Sequence, residues 1–309
     1  MDQTRRQLLK TAIVGTAGVL GGPALRLAVA QQAAPEGAGN IKLADDLYVV
    51  RLPGQASVVA QTSRDGVLLV DGGSAAGSDA VLKAVAALPN GSGKIHTLFN
   101  THWHPEQTGS NEKLGMSGTT IIAQENTRLW LRQNVTWPWN GQKFSKLPKI
   151  AQPTKTFYDK GALDSGVRYG WISDAAHTDG DLYVYFPQQN VLAVGDAAYG
   201  QGWPVVDWWS GGWIGGIVGG LQRIQTVGNR ETKFVPARGP VLSLAEITAQ
   251  VDMYGTIYDR LNQMMNKGKG PSEAVEAKVA KDYEAKMGNS DEFIRRCAES
   301  LWAYLSPDA

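Results

Sequence analysis

The segment THWHPEQTGSN, residues 101–111, follows a run at 96–100 that is predicted to be a β-strand. His102 and His104 are two residues apart, so on an extended segment both imidazoles point the same way and can face one ion. His177, in the segment AHTDGD at 176–181, lies between two further predicted strands and can supply a third nitrogen. Three neutral imidazoles leave the fourth position of a tetrahedral zinc ion open to water, whose pKa zinc lowers to about 7.

Strands and helices alternate on both sides of this segment. Runs rich in valine and leucine, separated by Pro-Gly and Asp-Gly turns, predict a β-meander at 47–52, 57–62 and 66–71. Further strands are predicted at 120–123, 167–172, 182–186, 191–194 and 234–235, helices at 79–88, 127–134, 213–227, 244–266, 272–278 and 291–304, and a long loop at 136–150. Since no linker divides the two halves, the pattern predicts one α/β domain with sheets inside and helices outside.

The charge balance argues against two classes of partner. With 30 basic and 29 acidic residues, the formal net charge is +1, which indicates neither a nucleic-acid partner nor a polybasic membrane surface. Cys297 is the only cysteine, so no intramolecular disulfide can form. We expect a small-molecule substrate and no nucleic acid.

The first thirty residues have the composition of an export signal. An arginine pair, Arg5-Arg6, precedes an apolar run at 11–20, and the small residues AVA at 28–30 form a cleavage site. The pair resembles a twin-arginine signal, which would make the twin-arginine translocase a partner during export. The mature protein is expected to be periplasmic or secreted, with no membrane anchor after cleavage. We predict a signal peptide at 1–30, a flexible leader at 31–40 and a folded domain with carboxy-terminal helices at 41–309.

Five motifs occur in an order that points to a family. The chain has DGG at 71–73, the THWHPEQTGSN segment, AHTDGD at 176–181, VLAVGD at 191–196 and VPARGPV at 235–241. Over nearly the whole mature chain this series resembles the metallo-β-lactamase superfamily. The resemblance implies a four-layered αββα sandwich that carries its metal ions at one edge of the two sheets.

Residue by residue, the resemblance preserves one metal site of the family. His102, His104 and His177 match the three ligands of the first zinc ion. Asp196 matches the carboxylate that bridges the two metals in the family. The resemblance therefore implies a single zinc ion with these four residues as its ligands, and iron is the alternative metal.

The second metal site carries three substitutions. Glu106 stands where the family has Asp, Gln107 where it has His, and Arg238 where it has the last His. Glu106 and Asp196 are like charges that need a cation nearby. We hypothesise that the Arg238 guanidinium replaces the second zinc, within hydrogen-bonding reach of a carboxylate, or that it holds an anionic substrate group. The alternative is a structural ion pair in an inactive site, and breaking such a buried pair costs about 3–5 kcal/mol.

Tryptophans concentrate in two of the loops. Four of the 10 in the chain occur in GWPVVDWWSGGW at 202–213, and two more lie at 137 and 139. In the fold that the resemblance implies, these loops lie near the mouth of the metal site. Packing is the alternative for any single one of these residues, but as a group they are predicted to form an apolar wall for a substrate. The predicted wall residues are Trp137, Trp139, Trp203, Trp208 and Trp209.

Three functions follow from these observations. The first is a periplasmic mononuclear zinc-dependent hydrolase that cleaves an ester, lactone, amide or β-lactam bond through a zinc-bound hydroxide, with Glu106, Asp196 and Arg238 as catalytic residues. The second is an iron-dependent oxidoreductase similar to the superfamily's persulfide dioxygenases, with His102, His177 and Asp196 as ligands. The third is a catalytically degenerate metal-binding or interaction protein.

Overall fold

The strands of the described residues form two sheets and a small hairpin. The computed structural model describes residues 39–172 and 175–305, so the predicted signal peptide at 1–30 and residues 31–38 of the predicted leader lie outside the described residues. The strands are β1 (Gly39–Lys42), β2 (Leu47–Arg51), β3 (Val58–Ser63), β4 (Gly66–Val70), β5 (Ile95–Phe99), β6 (Thr120–Gln124), β7 (Val135–Thr136), β8 (Lys143–Phe144), β9 (Lys155–Phe157), β10 (Lys160–Ala162), β11 (Arg168–Trp171), β12 (Leu182–Phe186), β13 (Val191–Gly195) and β14 (Lys233–Pro236). The larger sheet has the order β1-β2-β3-β4-β5-β6-β9 and the smaller sheet has the order β10-β11-β12-β13-β14, while β7 pairs with β8.

The larger sheet is buried on both faces because apolar residues fill both sets of alternating strand positions. In β2, Leu47 and Val49 belong to the core between the two sheets, where Val184 of β12 also packs. Tyr48 and Val50, on the opposite face of the same strand, pack in the core under the outer helices. The two sheets therefore lie face to face with a shared apolar layer between them.

Helices cover the outer face of each sheet. They are α1 (Ser78–Ala86), α2 (Pro105–Thr108), α3 (Asn111–Met116), α4 (Glu125–Leu131), α5 (Ile214–Gln225), α6 (Leu244–Met265), α7 (Pro271–Glu276), α8 (Glu284–Met287) and α9 (Asp291–Leu305). Apolar residues of α1 and α3 pack on the larger sheet, and those of α5, α6 and α9 pack on the smaller one. This is the predicted four-layered αββα sandwich. Within the described part of the chain, none of the helices has the length and apolar composition needed to cross a bilayer.

Glycines in α5 allow this helix to pack closely on the smaller sheet. A Cβ at Gly220 would lie 2.8 Å from both the Ala176 Cβ and the Ile172 Cγ2. Ala176 immediately precedes His177 in the chain. A side chain at position 220 would therefore displace the segment that carries one of the predicted ligands.

The structure contains several elements that the sequence pattern did not predict. The segment predicted as a long loop at 136–150 contains β8, the last residue of β7 and a 3-10 turn at Lys149–Ala151. The larger sheet begins at Gly39, inside the segment predicted as a leader, because the first two residues of β1 pair with the end of β2. The helices α2 and α3 have four and six residues, which is too short for an amphipathic period to appear in the sequence.

The carboxyl ends of four strands define one edge of the sandwich. β4 and β5 are parallel neighbours in the larger sheet, and β13 and β14 are parallel neighbours in the smaller sheet. Asp71 follows β4, Thr101 lies just beyond β5, Asp196 follows β13, and Arg238 lies just beyond β14. The predicted motifs therefore occupy the ends of strands, where backbone positions are well fixed.

Candidate metal centre

Four buried side chains converge at this edge: His102, His104, His177 and Asp196. Each offers one ligand atom, and these atoms all lie within 4.8 Å of one another. Asp196 Oδ2 lies 3.6 Å from His102 Nε2 and 3.9 Å from His177 Nε2. His177 Nε2 lies 3.1 Å from His104 Nδ1. The structure thus brings together the four residues that were predicted as metal ligands.

Asp71 and Thr101 fix the tautomer of His102. The Asp71 carboxylate accepts hydrogen bonds from the Thr101 backbone N–H and from Thr101 Oγ1, both at 2.8 Å. Because the hydroxyl proton is used in this way, the hydroxyl oxygen accepts a hydrogen bond from His102 Nδ1 at 3.2 Å. His102 Nε2 then carries a lone pair, and it is buried with no hydrogen-bond partner among the described residues.

Asp207 fixes the tautomer of His104. Its Oδ2 lies 2.9 Å from His104 Nε2, and it also accepts hydrogen bonds from Ser210 Oγ at 2.6 Å and, through Oδ1, from the Ser210 N–H at 3.1 Å. Burial alone would raise the pKa of Asp207, but its hydrogen bonds and the charge of His104 lower that pKa overall. The ionised carboxylate keeps a proton on Nε2 and leaves the Nδ1 lone pair facing His177. Sequence reasoning missed Asp207, whose only signal was an acidic residue inside the tryptophan-rich segment.

Backbone contacts hold His177 in the complementary tautomer. Its Nδ1 donates to the Val205 carbonyl oxygen at 2.5 Å. Asp181 accepts hydrogen bonds from the backbone N–H groups of His177 and Thr178 at 2.6 Å and 2.8 Å, which fixes the loop. Burial, the largest cause, lowers the pKa of His177 to about 4, so the ring is neutral and its Nε2 carries a lone pair.

Three imidazole lone pairs and one carboxylate therefore point at a common centre. His104 Nδ1 and His177 Nε2 lie 3.1 Å apart with their protons on the opposite ring nitrogens, which is repulsive without a cation. Burial lowers the pKa of His104, but the hydrogen bond and charge of Asp207 outweigh this effect and raise that pKa overall. A proton shared between His104 and His177 is therefore the alternative to a metal ion. Such a proton between His104 and His177 would still leave two buried atoms, His102 Nε2 and Asp196 Oδ1, without a hydrogen-bond partner among the described residues. A metal ion would satisfy both atoms. The donor set fits a zinc or iron ion.

The three substituted positions lie beside this cluster. Gln107 Nε2 donates to Asp196 Oδ2 at 3.2 Å, so this amide and not Arg238 makes the direct hydrogen bond to Asp196. Arg238 Nη2 lies 3.8 Å from Glu106 Oε1, which is an ion pair longer than a hydrogen bond. Burial lowers the pKa of Arg238, but the charges of Asp196 and Glu106 and the hydrogen-bonding contact with Tyr199 raise it overall. Arg238 therefore acts on both carboxylates through its charge, without the hydrogen bond that was predicted.

The ion pair of Arg238 with Glu106 is more exposed than predicted. The Arg238 side chain is 30% exposed and that of Glu106 is 44% exposed. Water screens such a pair, and its contribution to stability is about 0–1 kcal/mol. The ion pair of Arg238 therefore contributes little to the stability of the fold, and the guanidinium charge remains accessible to solvent.

Four of the five predicted wall residues form a continuous series of rings that starts at a ligand. The ring centroid of Trp137 lies 5.3 Å from that of His104, and Trp139 lies 4.9 Å from Trp137. Trp208 follows at 5.7 Å from Trp139, and Trp209 at 6.0 Å from Trp208. This aromatic cluster lies on the His104 side of the centre.

Trp203 does not belong to the aromatic cluster. Its ring stacks on Phe293 of α9 with centroids 4.6 Å apart, and its indole N–H donates to the Gly288 carbonyl at 2.9 Å. The prediction that Trp203 lines the substrate wall is wrong, because its ring packs in the core beneath the carboxy-terminal helices. A lone tryptophan at the start of a loop carried no signal to distinguish the two roles.

Solved structures with a similar fold include two metallo-beta-lactamases and a sulfatase. The metallo-beta-lactamase from Pontibacter korlensis has a TM-score of 0.55 and 17% identity, over 70% of this chain and 98% of that one. The DIM-1 metallo-beta-lactamase has a TM-score of 0.54 and 15% identity, over 71% of this chain and 97% of that one. The stereoselective inverting sec-alkylsulfatase Pisa1 from Pseudomonas sp. has a TM-score of 0.62 and 17% identity, over 85% of this chain and 50% of that one.

Identities this low establish a shared fold and nothing finer. Among curated protein sequences, none matches the chain. The sequence model of the metallo-beta-lactamase superfamily matches residues 50–235, which include the four converging side chains. With its αββα sandwich and its group of three histidines and one aspartate, the chain belongs to the metallo-beta-lactamase superfamily.

Proposed function

We propose that the protein is a periplasmic mononuclear zinc-dependent hydrolase that cleaves an ester, lactone, amide or β-lactam bond of a small molecule. The observation that carries the proposal is the convergence of three imidazole lone pairs and the Asp196 carboxylate at one buried centre. Replacement of the other family ligands by Glu106, Gln107 and Arg238 supports a single ion. The similar structures named above are two metallo-beta-lactamases and a sulfatase, whose names all indicate hydrolysis.

The protein's own residues hold and move the protons of this reaction. His102, His104 and His177 would hold the ion, which supplies Lewis acidity and lowers the pKa of a bound water to about 7. Asp196 Oδ1 is buried and has no partner among the described residues, so it can accept a hydrogen bond from the attacking water and orient it. Glu106, which is 44% exposed, acts as the general base that passes the proton to solvent.

The aromatic cluster supplies the apolar side of the substrate site. Trp137 is buried against His104 and its indole N–H lies 3.4 Å from Asp207 Oδ2, which keeps water away from that carboxylate. Trp139, Trp208 and Trp209 are half-buried, and the exposed parts of their rings would contact an apolar leaving group or acyl group.

Metal content and turnover test the proposal together. Elemental analysis of the mature protein should give about one zinc per chain, and a panel of esters, lactones, amides and β-lactams should contain at least one substrate. His177→Ala should lose both, because it removes one of three nitrogen ligands. His96→Ala is the matched control, since His96 lies outside the cluster and pairs with Thr97 Oγ1.

Each unfavourable outcome has a distinct meaning. Two tightly held ions would overturn the mononuclear assignment. Iron in place of zinc would favour the persulfide-dioxygenase-like reaction at His102, His177 and Asp196. One bound metal without turnover on any substrate would favour the degenerate metal-binding protein.

Export is tested separately. If residues 1–30 are a twin-arginine signal, mass spectrometry of periplasmic protein should show a chain that starts at Gln31. Replacing Arg5-Arg6 by a lysine pair should retain the protein in the cytoplasm. An intact Met1 on exported protein would contradict this part of the proposal.

A further inference from the structure

Arg238 lies beside the metal centre on a fixed piece of backbone. Its carbonyl accepts a hydrogen bond from the Gly200 N–H at 2.9 Å, and the Ala237 N–H donates to the Gly195 carbonyl at 2.9 Å. Gly239 has a φ of +86°, and a Cβ there would lie 2.5 Å from the Gly200 carbonyl carbon. The start of the Arg238 side chain therefore has one position relative to the centre.

The Arg238 guanidinium is not saturated by the carboxylates around it. Glu106 Oε1 lies 3.8 Å away, beyond hydrogen-bond length, and Asp196 Oδ2 already accepts a hydrogen bond from Gln107 at 3.2 Å. A guanidinium has about five N–H donors in a planar fork that matches a carboxylate. Besides these carboxylates the guanidinium contacts Tyr199, and 30% of the Arg238 side chain is exposed to solvent.

We propose that Arg238 is the subsite for an anionic oxygen group, such as a carboxylate, on the substrate. This inference rests on the proposed function. A dication held by the three histidines would offset the carboxylate charges of Asp196 and Asp207, so that an anionic group at Arg238 is not repelled by them. The His104 side of the centre is covered by tryptophans. The substrate class is therefore a molecule with an anionic group on one side of its scissile bond and an apolar group on the other.

A pair of matched esters tests this assignment in the zinc-loaded full chain. The probes are 4-nitrophenyl acetate, which is neutral, and mono(4-nitrophenyl) succinate, which carries a carboxylate. Wild-type protein should have the larger kcat/KM on the succinate ester. Arg238→Ala should lower the ratio of the two kcat/KM values by about 10- to 100-fold, the effect of removing a charged hydrogen bond. Arg238→Lys keeps the charge without the fork and should give an intermediate ratio.

Arg230→Ala is the matched control. It removes the same charge from an exposed position before β14, at the opposite end of the strand from Arg238. The ratio should stay at the wild-type value in this variant. An unchanged ratio in Arg238→Ala would overturn the inference, and an equal fall in Arg230→Ala would show a general effect of charge and overturn it too.

Direct binding separates failure of this inference from failure of the proposed function. Calorimetric titration of glutarate into the zinc-loaded chain measures the anion subsite without any turnover. Affinity should fall by about 10- to 100-fold in Arg238→Ala and not in Arg230→Ala. Absence of turnover on both esters would refute the hydrolase, while the titration would still decide on the subsite. Equal glutarate affinity in wild type and Arg238→Ala would refute the subsite.

Discussion

Changing Asp207→Asn should weaken metal binding although Asp207 is expected to touch no metal. The substitution keeps the shape of the side chain and an oxygen that can accept from His104 Nε2, but it removes the negative charge that lies 2.9 Å from that nitrogen. Both side chains are buried, with 0% and 4% exposure, so solvent does not screen this loss. Removing a partner of this kind lowers metal affinity by about 10- to 100-fold, or about 1.4–2.8 kcal/mol.

The measurement is a competition titration of metal-free protein against a chromophoric zinc chelator. Asp46→Asn is the matched control, because Asp46 accepts hydrogen bonds from Gln61 and Gln189 in a region remote from the centre. Ser210→Ala removes the 2.6 Å hydrogen bond to Asp207 while leaving its charge, so its effect should be the smaller one. If Asp207→Asn binds zinc as tightly as wild type, the carboxylate neither orients nor polarises His104.

Three further outcomes follow from the structure. His177→Ala should reduce tightly bound metal from about one ion per chain to none in elemental analysis, since only two imidazoles remain; full retention would contradict the ligand set. Gly195→Ala should lower the free energy of unfolding in urea by about 1–3 kcal/mol or more. The reason is that φ at Gly195 is +55° and the new Cβ would lie 2.4 Å from Thr101 Oγ1. An unchanged free energy of unfolding would show that the backbone around Gly195 can adjust to the added Cβ. Burial raises the pKa of the Cys297 thiol, so the native protein should not react with a disulfide reagent until denaturant is added; rapid native reaction would contradict the packing of α9.

The fold and the ligand set could be predicted because five short motifs occur in the family's order, and the resemblance that they carry implies both. The strand predicted at 182–186 has the same bounds in the structure, since apolar residues fill every position of β12. His102 and His104 lie just beyond β5 and two residues apart, and this spacing predicted that both imidazoles can face one ion. The motif order then placed His177 and Asp196 at the same edge.

The groups that support the ligands could not be predicted, because their contacts span long stretches of sequence. Asp207 meets His104 across 103 residues, and the Val205 carbonyl meets His177 across 28 residues. Such bonds leave no periodic pattern in the sequence. Gln107 is a related case: its residue type indicated a lost ligand, but its role as the donor to Asp196 depends on a side-chain conformation. Sequence reasoning assigned that role to the charge of Arg238 instead.

The centre takes its ligands from both halves of the sandwich. His102 and His104 extend the end of β5 in the larger sheet, whereas Asp196 extends the end of β13 in the smaller sheet. An ion held by all of them is a cross-link between the two sheets, and they cannot separate without breaking its coordination. Its binding free energy therefore adds to the cost of opening the whole domain. It also sets the order of assembly, because the sheets must dock before the complete set of ligands exists.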